Sequence, residues 1–144
     1  LRIIAINLGV MGVLIVVPNL LRTEHDYPLG YTTAVILSIL YAVTLGTDSF
    51  ALSAGGRIAP SLSILGRSGP YEIAAYVLAA ASTYSIARSR LKGRWPRQTI
   101  EPIVTAHPLR LGSEQWIGLV LAVVILLAAN AWEAYRIMVY LRGE

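Results

Sequence analysis

The sequence predicts an all-α integral membrane protein with about four transmembrane helices, near residues 3–21, 31–52, 70–87 and 115–140. Three observations predict it. Of 144 residues, 56% are hydrophobic and only 14% charged, whereas charge makes up about a quarter of an ordinary soluble domain. The mean hydropathy is +0.62. The apolar residues also gather in runs long enough for a helix to cross a hydrocarbon core. A soluble fold of this length would have to hide all of those runs in one small interior.

The first run, Ile3 to Leu21, holds no charge and is closed by Arg22. At 1.5 Å per residue it makes about 28 Å of helix, close to the hydrocarbon thickness. Its basic flank is the single Arg2 and no A-x-A site follows, so it reads as a retained helix rather than a cleaved leader. Pro18 and Asn19 should bend or end it near the interface. A polar turn with Glu24, His25, Asp26 and Pro28 leads to the second run, Tyr31 to Leu52, whose one acid, Asp48, lies near its far end. Ser38, Ala42 and Gly46 follow at four-residue spacing, which places three small groups on one helix face, where backbones approach closely in lipid.

Gly55, Gly56, Pro60, Gly66 and Gly69 break any long helix between the second and third spans. Segment 57–66 is apolar but too short to cross, so it reads as interfacial or re-entrant. The third span opens with Gly69 as N-cap, Pro70 at the first helical position and Glu72 at the third. Ala75, Ala79 and Thr83 repeat the small-residue stripe, and a helix so rich in Ala should sit among other helices more than against lipid. Residues 88–114 form a hydrophilic connection with five basic residues from Arg88 to Arg97; Pro96, Pro102 and Pro108 make it extended rather than helical. The fourth span starts near Gln115, is almost wholly Val, Leu, Ile and Ala from Trp116 to Trp132, and leaves through Glu133, Tyr135, Arg136 and Tyr140 as an aromatic, charged exit. The chain is one helical transmembrane domain over 1–144, without repeat or second domain.

Eleven of the twelve basic residues are Arg, the exception being Lys92, and the net charge is +4. They lie beside the spans, which favours a membrane surface over nucleic acid as partner. Four spans put Arg22, the Arg88–Arg97 cluster and Arg110 on one side, seven basic residues against five on the other. The positive-inside rule then places loop 88–114 in the cytoplasm of a multi-pass protein of the cell membrane. The absence of cysteine excludes disulfides, thiolate metal sites, iron–sulfur clusters and attached c-type haem. Both histidines, His25 and His107, fall in loops, so neither a haem pair at membrane depth nor a His-based metal or catalytic set can be assembled. No span holds a Lys for a retinal Schiff base, and the Gly55-Gly-Arg-Ile-Ala-Pro stretch lacks a phosphate-loop pattern. No cofactor, metal or catalytic constellation is expected. Three Asn, two Gln and two Met are few thermolabile side chains, as in a protein from a heat-loving source.

Ionisable groups at membrane depth are costly unless paired, so Asp48, Glu72 and Glu133 each require a reason. Glu72 can cap the free N–H groups of its own first turn or serve as a functional carboxylate. Asp48 is either wet at a helix end or paired with Arg57, Arg67 or a neighbouring subunit. Asp48 and Glu72 approach one membrane face, and with Arg57 and Arg67 they form the candidate intramembrane polar site. Glu133 stands three residues before Arg136 for an intrahelical pair, and Asn7 and Asn130 suit interhelical hydrogen bonding.

The stretch Leu65-Gly-Arg-Ser-Gly-Pro-Tyr-Glu-Ile-Ala-Ala-Tyr-Val-Leu-Ala-Ala81 resembles the stage II sporulation protein M-like membrane family, whose Pro-His-Gly-x-aromatic-Glu-x-Pro-Ala element opens a transmembrane helix. Gly69, Tyr71, Glu72 and Ala75 match; Arg67, Ser68 and Ala74 replace its Pro, His and second Pro. The resemblance covers about a tenth of the chain and implies a multi-helix protein that works with partners in membrane assemblies, with no catalytic residue to transfer.

The leading expectation is a non-catalytic membrane subunit or scaffold that packs against other membrane proteins or its own copies, such as an accessory subunit of an energy-converting complex. The alternative is a small proton or cation transporter or channel acting as a homo-oligomer, with Asp48 and Glu72, and with them Glu133, as candidate sites. An intramembrane enzyme would need a nucleophile–base or metal pair in the spans, and none is visible.

Overall fold

The computed structural model describes residues 2–46, 67–93, 96–103 and 110–142. The chain is mostly helical, at 72%. In order it forms α1 (Arg2–Leu20), β1 (Leu21–Arg22), α2 (Leu29–Gly46), α3 (Gly69–Ser82), β2 (Ser89–Lys92), β3 (Thr99–Pro102) and α4 (Ser113–Arg142). Two stretches, Arg2–Leu20 and Ser113–Val139, are long and apolar enough to cross a membrane. The far end of the expected second span and segment 57–66 lie outside the described residues.

The first helix changes register along its length: α-helical over Arg2–Gly9, π-helical over Val10–Val16, then a 3-10 turn over Pro18–Leu20. The amide of Val17 bonds Gly12 O, five residues back, at 2.9 Å. Pro18 gives a reason for this. A proline has no N–H and its ring collides with the carbonyl four residues earlier in an α-helix, and widening the preceding turns relieves that crowding.

The third helix is central and packs against α4, α2 and the wide part of α1. Its buried face is Ala75, Tyr76, Ala79 and Ala80; against it lie Met11 and Ile15 of α1, Ala34 of α2, and Ala122 and Leu126 of α4. Such a core is made largely of methyl groups, which lets helices approach closely. A Cβ on Gly118 would occupy the place of Ser82 Oγ, and one on Gly69 that of the Tyr41 phenol. The helix also starts one residue earlier than expected. Ser68 holds the N-cap position, Gly69 is already helical beneath Tyr41, and the amides of Tyr71 and Glu72 both bond Ser68 O, at 3.0 and 3.1 Å.

An all-α class is corrected by a three-stranded sheet in the order β1-β2-β3. β1 pairs parallel with β2 (Leu21↔Ser89, Arg22↔Arg90), and β2 antiparallel with β3 (Ser89↔Pro102 to Lys92↔Thr99). The strands are two to four residues long and lack apolar alternation, so the usual strand signal is missing. The prolines that predicted an extended rather than helical connection are compatible with the sheet. Ile103 N–H bonds Arg88 O at 2.9 Å, which makes 88–103, 90–101 and 92–99 the hydrogen-bonded pairs. Pro102 therefore turns its missing donor toward the free edge, where a proline breaks no ladder bond and discourages further pairing. Because β1 continues α1, β2 follows α3 and β3 leads toward α4, the sheet closes one end of the bundle.

Candidate functional site

Two polar knots hold the helices together. At the sheet end Asn19, the last residue but one of α1, is fully buried. Its Nδ2 donates to Ala80 O at 2.9 Å and to Thr83 Oγ1 at 2.8 Å, while its Oδ1 accepts from Gly30 N at 2.9 Å. Thr83 Oγ1 passes its own proton to Ala79 O at 2.7 Å. One amide thus joins the end of α1, the start of α2 and the end of α3, with its donors and acceptor all used. Gly30 is required by this approach: a Cβ there would fall on Asn19 Oδ1 and Ile15 O.

At the opposite end, Asn7 Nδ2 donates to Asn130 Oδ1 at 2.9 Å and Asn130 Nδ2 to Leu126 O at 2.7 Å, which ties α1 to α4. Glu72, half-buried in the first turn of α3, has Ser68 and Asn7 as polar neighbours. Tyr41 of α2 sets its phenol against Gly69 at the start of α3. All four helices therefore contribute a polar group to this end.

Of the sequence-predicted polar site, Glu72 lies in the first turn of α3 and the exposed Arg67 just before that helix; Asp48 and Arg57 lie outside the described residues. In the small-residue stripes, Ala75, Ala79 and Thr83 are buried. Ser38 is half-buried and donates to Ala34 O at 2.7 Å, Ala42 is exposed, and Gly46 closes α2. The inner face of α2 begins instead with Gly30 and Ala34. Asn19 is the residue that sequence reasoning undervalued. An amide ending an apolar run beside proline looks like an interface marker, and only its partner sixty-odd residues away reveals its role.

Beyond the first knot the sheet carries charge. Arg90 pairs with Asp26, and Lys92 with Glu101 at 3.5 Å. Arg22 donates to Tyr84 O at 2.8 Å with its guanidinium over the Tyr84 ring. A shallow cavity of about 420 Å³ lies between the α1–α2 turn and the β2–β3 hairpin, lined by Thr23, Glu24, His25, Leu91, Gly93 and Gln98. Its Glu24 accepts from Gly93 N at 3.4 Å, and its imidazole is exposed. Among the described residues, no three His, Asp or Glu side chains converge as a metal site would require.

Comparison with protein families, with characterised proteins and with solved structures gives no match.

Proposed function

We propose that this chain is a four-span, non-catalytic membrane subunit that braces other membrane proteins through its helix faces. The observation that carries the reading is where the apolar side chains point. Only 17% of the apolar window in α1 and 22% of that in α4 are buried within the chain, whereas the core helix of a soluble protein would be mostly covered. Val13 and Val17 on α1, Ile39 and Val43 on α2, and Ile117 and Val124 on α4 all face outward. In water so much exposed apolar surface would drive association; in a bilayer it is the solvated face.

Aromatic residues support the same placement. Tyr27, Tyr84 and Trp116 are exposed at the sheet end, and Tyr71, Trp132 and Tyr135 toward the other. Trp116 and Trp132 are sixteen residues apart on α4, about 24 Å along a helix, and so mark two interfaces one hydrocarbon core apart. On this reading α2 and α3 cross as well, and the basic sheet end is cytoplasmic. The resemblance around Gly69, Tyr71, Glu72 and Ala75 favours the same role in an assembly.

The test is native mass spectrometry of the chain extracted in mild detergent from its own membrane. Partner subunits at fixed stoichiometry are expected. A monomer or homo-oligomer alone would overturn the bracing role. A second reading, ion or proton passage, is favoured by the half-buried Glu72 carboxylate in the first turn of α3. It requires Glu72→Gln to abolish flux in proteoliposomes while leaving assembly intact.

A further inference from the structure

We propose that the sheet end of the bundle is a binding surface for anionic phospholipid headgroups, with the exposed Arg88 and Arg110 as the phosphodiester contacts and Arg22, bonded to Tyr84 O, adding its charge beside them. The inference rests on the membrane reading and adds a lipid preference to it.

The described basic residues at this end differ in place. Arg97 is exposed on the β2–β3 turn, and Arg90 and Lys92, along β2, are each matched by a carboxylate, Asp26 and Glu101. Three others stand where helices meet the sheet. Arg22 ends β1, two residues past α1. Arg88 precedes β2, and its amide bonds Leu20 O, the last residue of α1, at 2.8 Å. Arg110 comes three residues before α4. Among the described residues no carboxylate pairs with any of these three. Arg88 and Arg110 are exposed, and the Nε of Arg22 is shielded without an acceptor.

Their neighbours fix the kind of partner. Tyr84 carries the Arg22 guanidinium, and Trp116 opens α4 six residues after Arg110; both rings are exposed. Aromatic side chains of this kind sit at the headgroup level, with the apolar helix below. Arginines one step beyond that level meet phosphates, and a planar guanidinium binds two phosphate oxygens at once. The charge is therefore held at one depth by helix ends, as a lipid headgroup requires.

The experiment uses the full chain with Trp95→Phe and Trp132→Phe, so that Trp116 reports on this end alone. The protein is placed in phosphatidylcholine vesicles containing a minority of phosphatidylglycerol, with one or the other lipid brominated as a quencher. Brominated phosphatidylglycerol should quench Trp116 as though enriched about fivefold over its bulk fraction, the factor expected for a single basic residue at an anionic surface. Arg88→Gln with Arg110→Gln should bring the enrichment toward one. Equal quenching per mole by the two lipids in the parent protein would overturn the proposal and leave the membrane reading standing. No quenching by either lipid would remove both. Loss of the preference on adding inorganic phosphate at matched ionic strength would mean a site for soluble phosphate, and would also overturn it.

Discussion

Replacing Asn19 with Leu tests whether the buried amide holds three helices together. The substitution keeps the number and branching of the side-chain heavy atoms and opens no cavity, so the cost reports the lost hydrogen bonds together with the crowding of two methyl groups at hydrogen-bond distances. Three bonds disappear: those to Ala80 O, to Thr83 Oγ1 and from Gly30 N. The Gly30 amide is buried in the first turn of α2, where the helix offers it no partner of its own. A buried donor left without a partner costs about 1–3 kcal/mol. The other two losses are smaller, because the Thr83 hydroxyl still donates to Ala79 O. Interhelical bonds in a membrane protein average about 0.6 kcal/mol, because the unfolded chain in lipid finds substitutes. These figures bracket a destabilisation of about 2–3 kcal/mol. Reversible unfolding in mixed micelles of mild and denaturing detergent measures it. A Leu variant within about 0.5 kcal/mol of the parent, inside the range of an ordinary surface change, would refute the assignment of Asn19 as the clasp.

Gly30→Ala should destabilise by a similar amount in the same assay. Its cost should fall in the presence of Asn19→Ala, which removes one of the two groups the new methyl would strike. Gly118→Val should loosen α3 from α4, with partial rescue by Ser82→Ala, since the Ser82 hydroxyl fills the space the side chain needs. Asn7→Ala and Asn130→Ala should be non-additive by roughly 0.6 kcal/mol in a double-mutant cycle, as expected for one interhelical bond. At the surface, Asp26 has φ +61° in the turn before α2. Asp26→Gly should therefore be neutral or slightly stabilising, whereas Asp26→Val should cost about 1 kcal/mol or more, although both lose the exposed pair with Arg90.

The helices were legible because their signal is additive. The first and last apolar runs are unambiguous over nearly twenty residues or more, whereas α3 has 14 residues and ends at Ser82, short of the expected residue 87. The start of α3 differs by one residue because Tyr41, distant in sequence, lies on Gly69. The sheet was hidden for the opposite reason. Its strands are too short to show a period, and Pro102, which argues against pairing in a local reading, occupies the one kind of position that tolerates it. The Asn7–Asn130 bond could be expected from amides in apolar runs, since each needs a partner and few exist. Asn19 could not, because its partners are two backbone groups and a threonine hydroxyl that no side-chain pattern marks.

The reach of the Asn19 amide along the chain constrains how the protein can be made. Its donors close on a carbonyl 61 residues later, and at ribosomal speeds of roughly 5–20 residues per second that carbonyl arrives about 3–12 s after Asn19 itself. For that interval the first helix would be in the bilayer with an unmatched amide, had Asn19 stood at mid-depth. It stands at the sheet end instead, next to a polar turn, where interfacial water can serve until the third helix docks. The second polar group of this helix waits longer, since Asn130 follows Asn7 by 123 residues, and it too lies toward an end. On the proposed membrane placement, the first helix can be inserted alone without a polar amide at its centre, and its two ends are bonded by helices that arrive later.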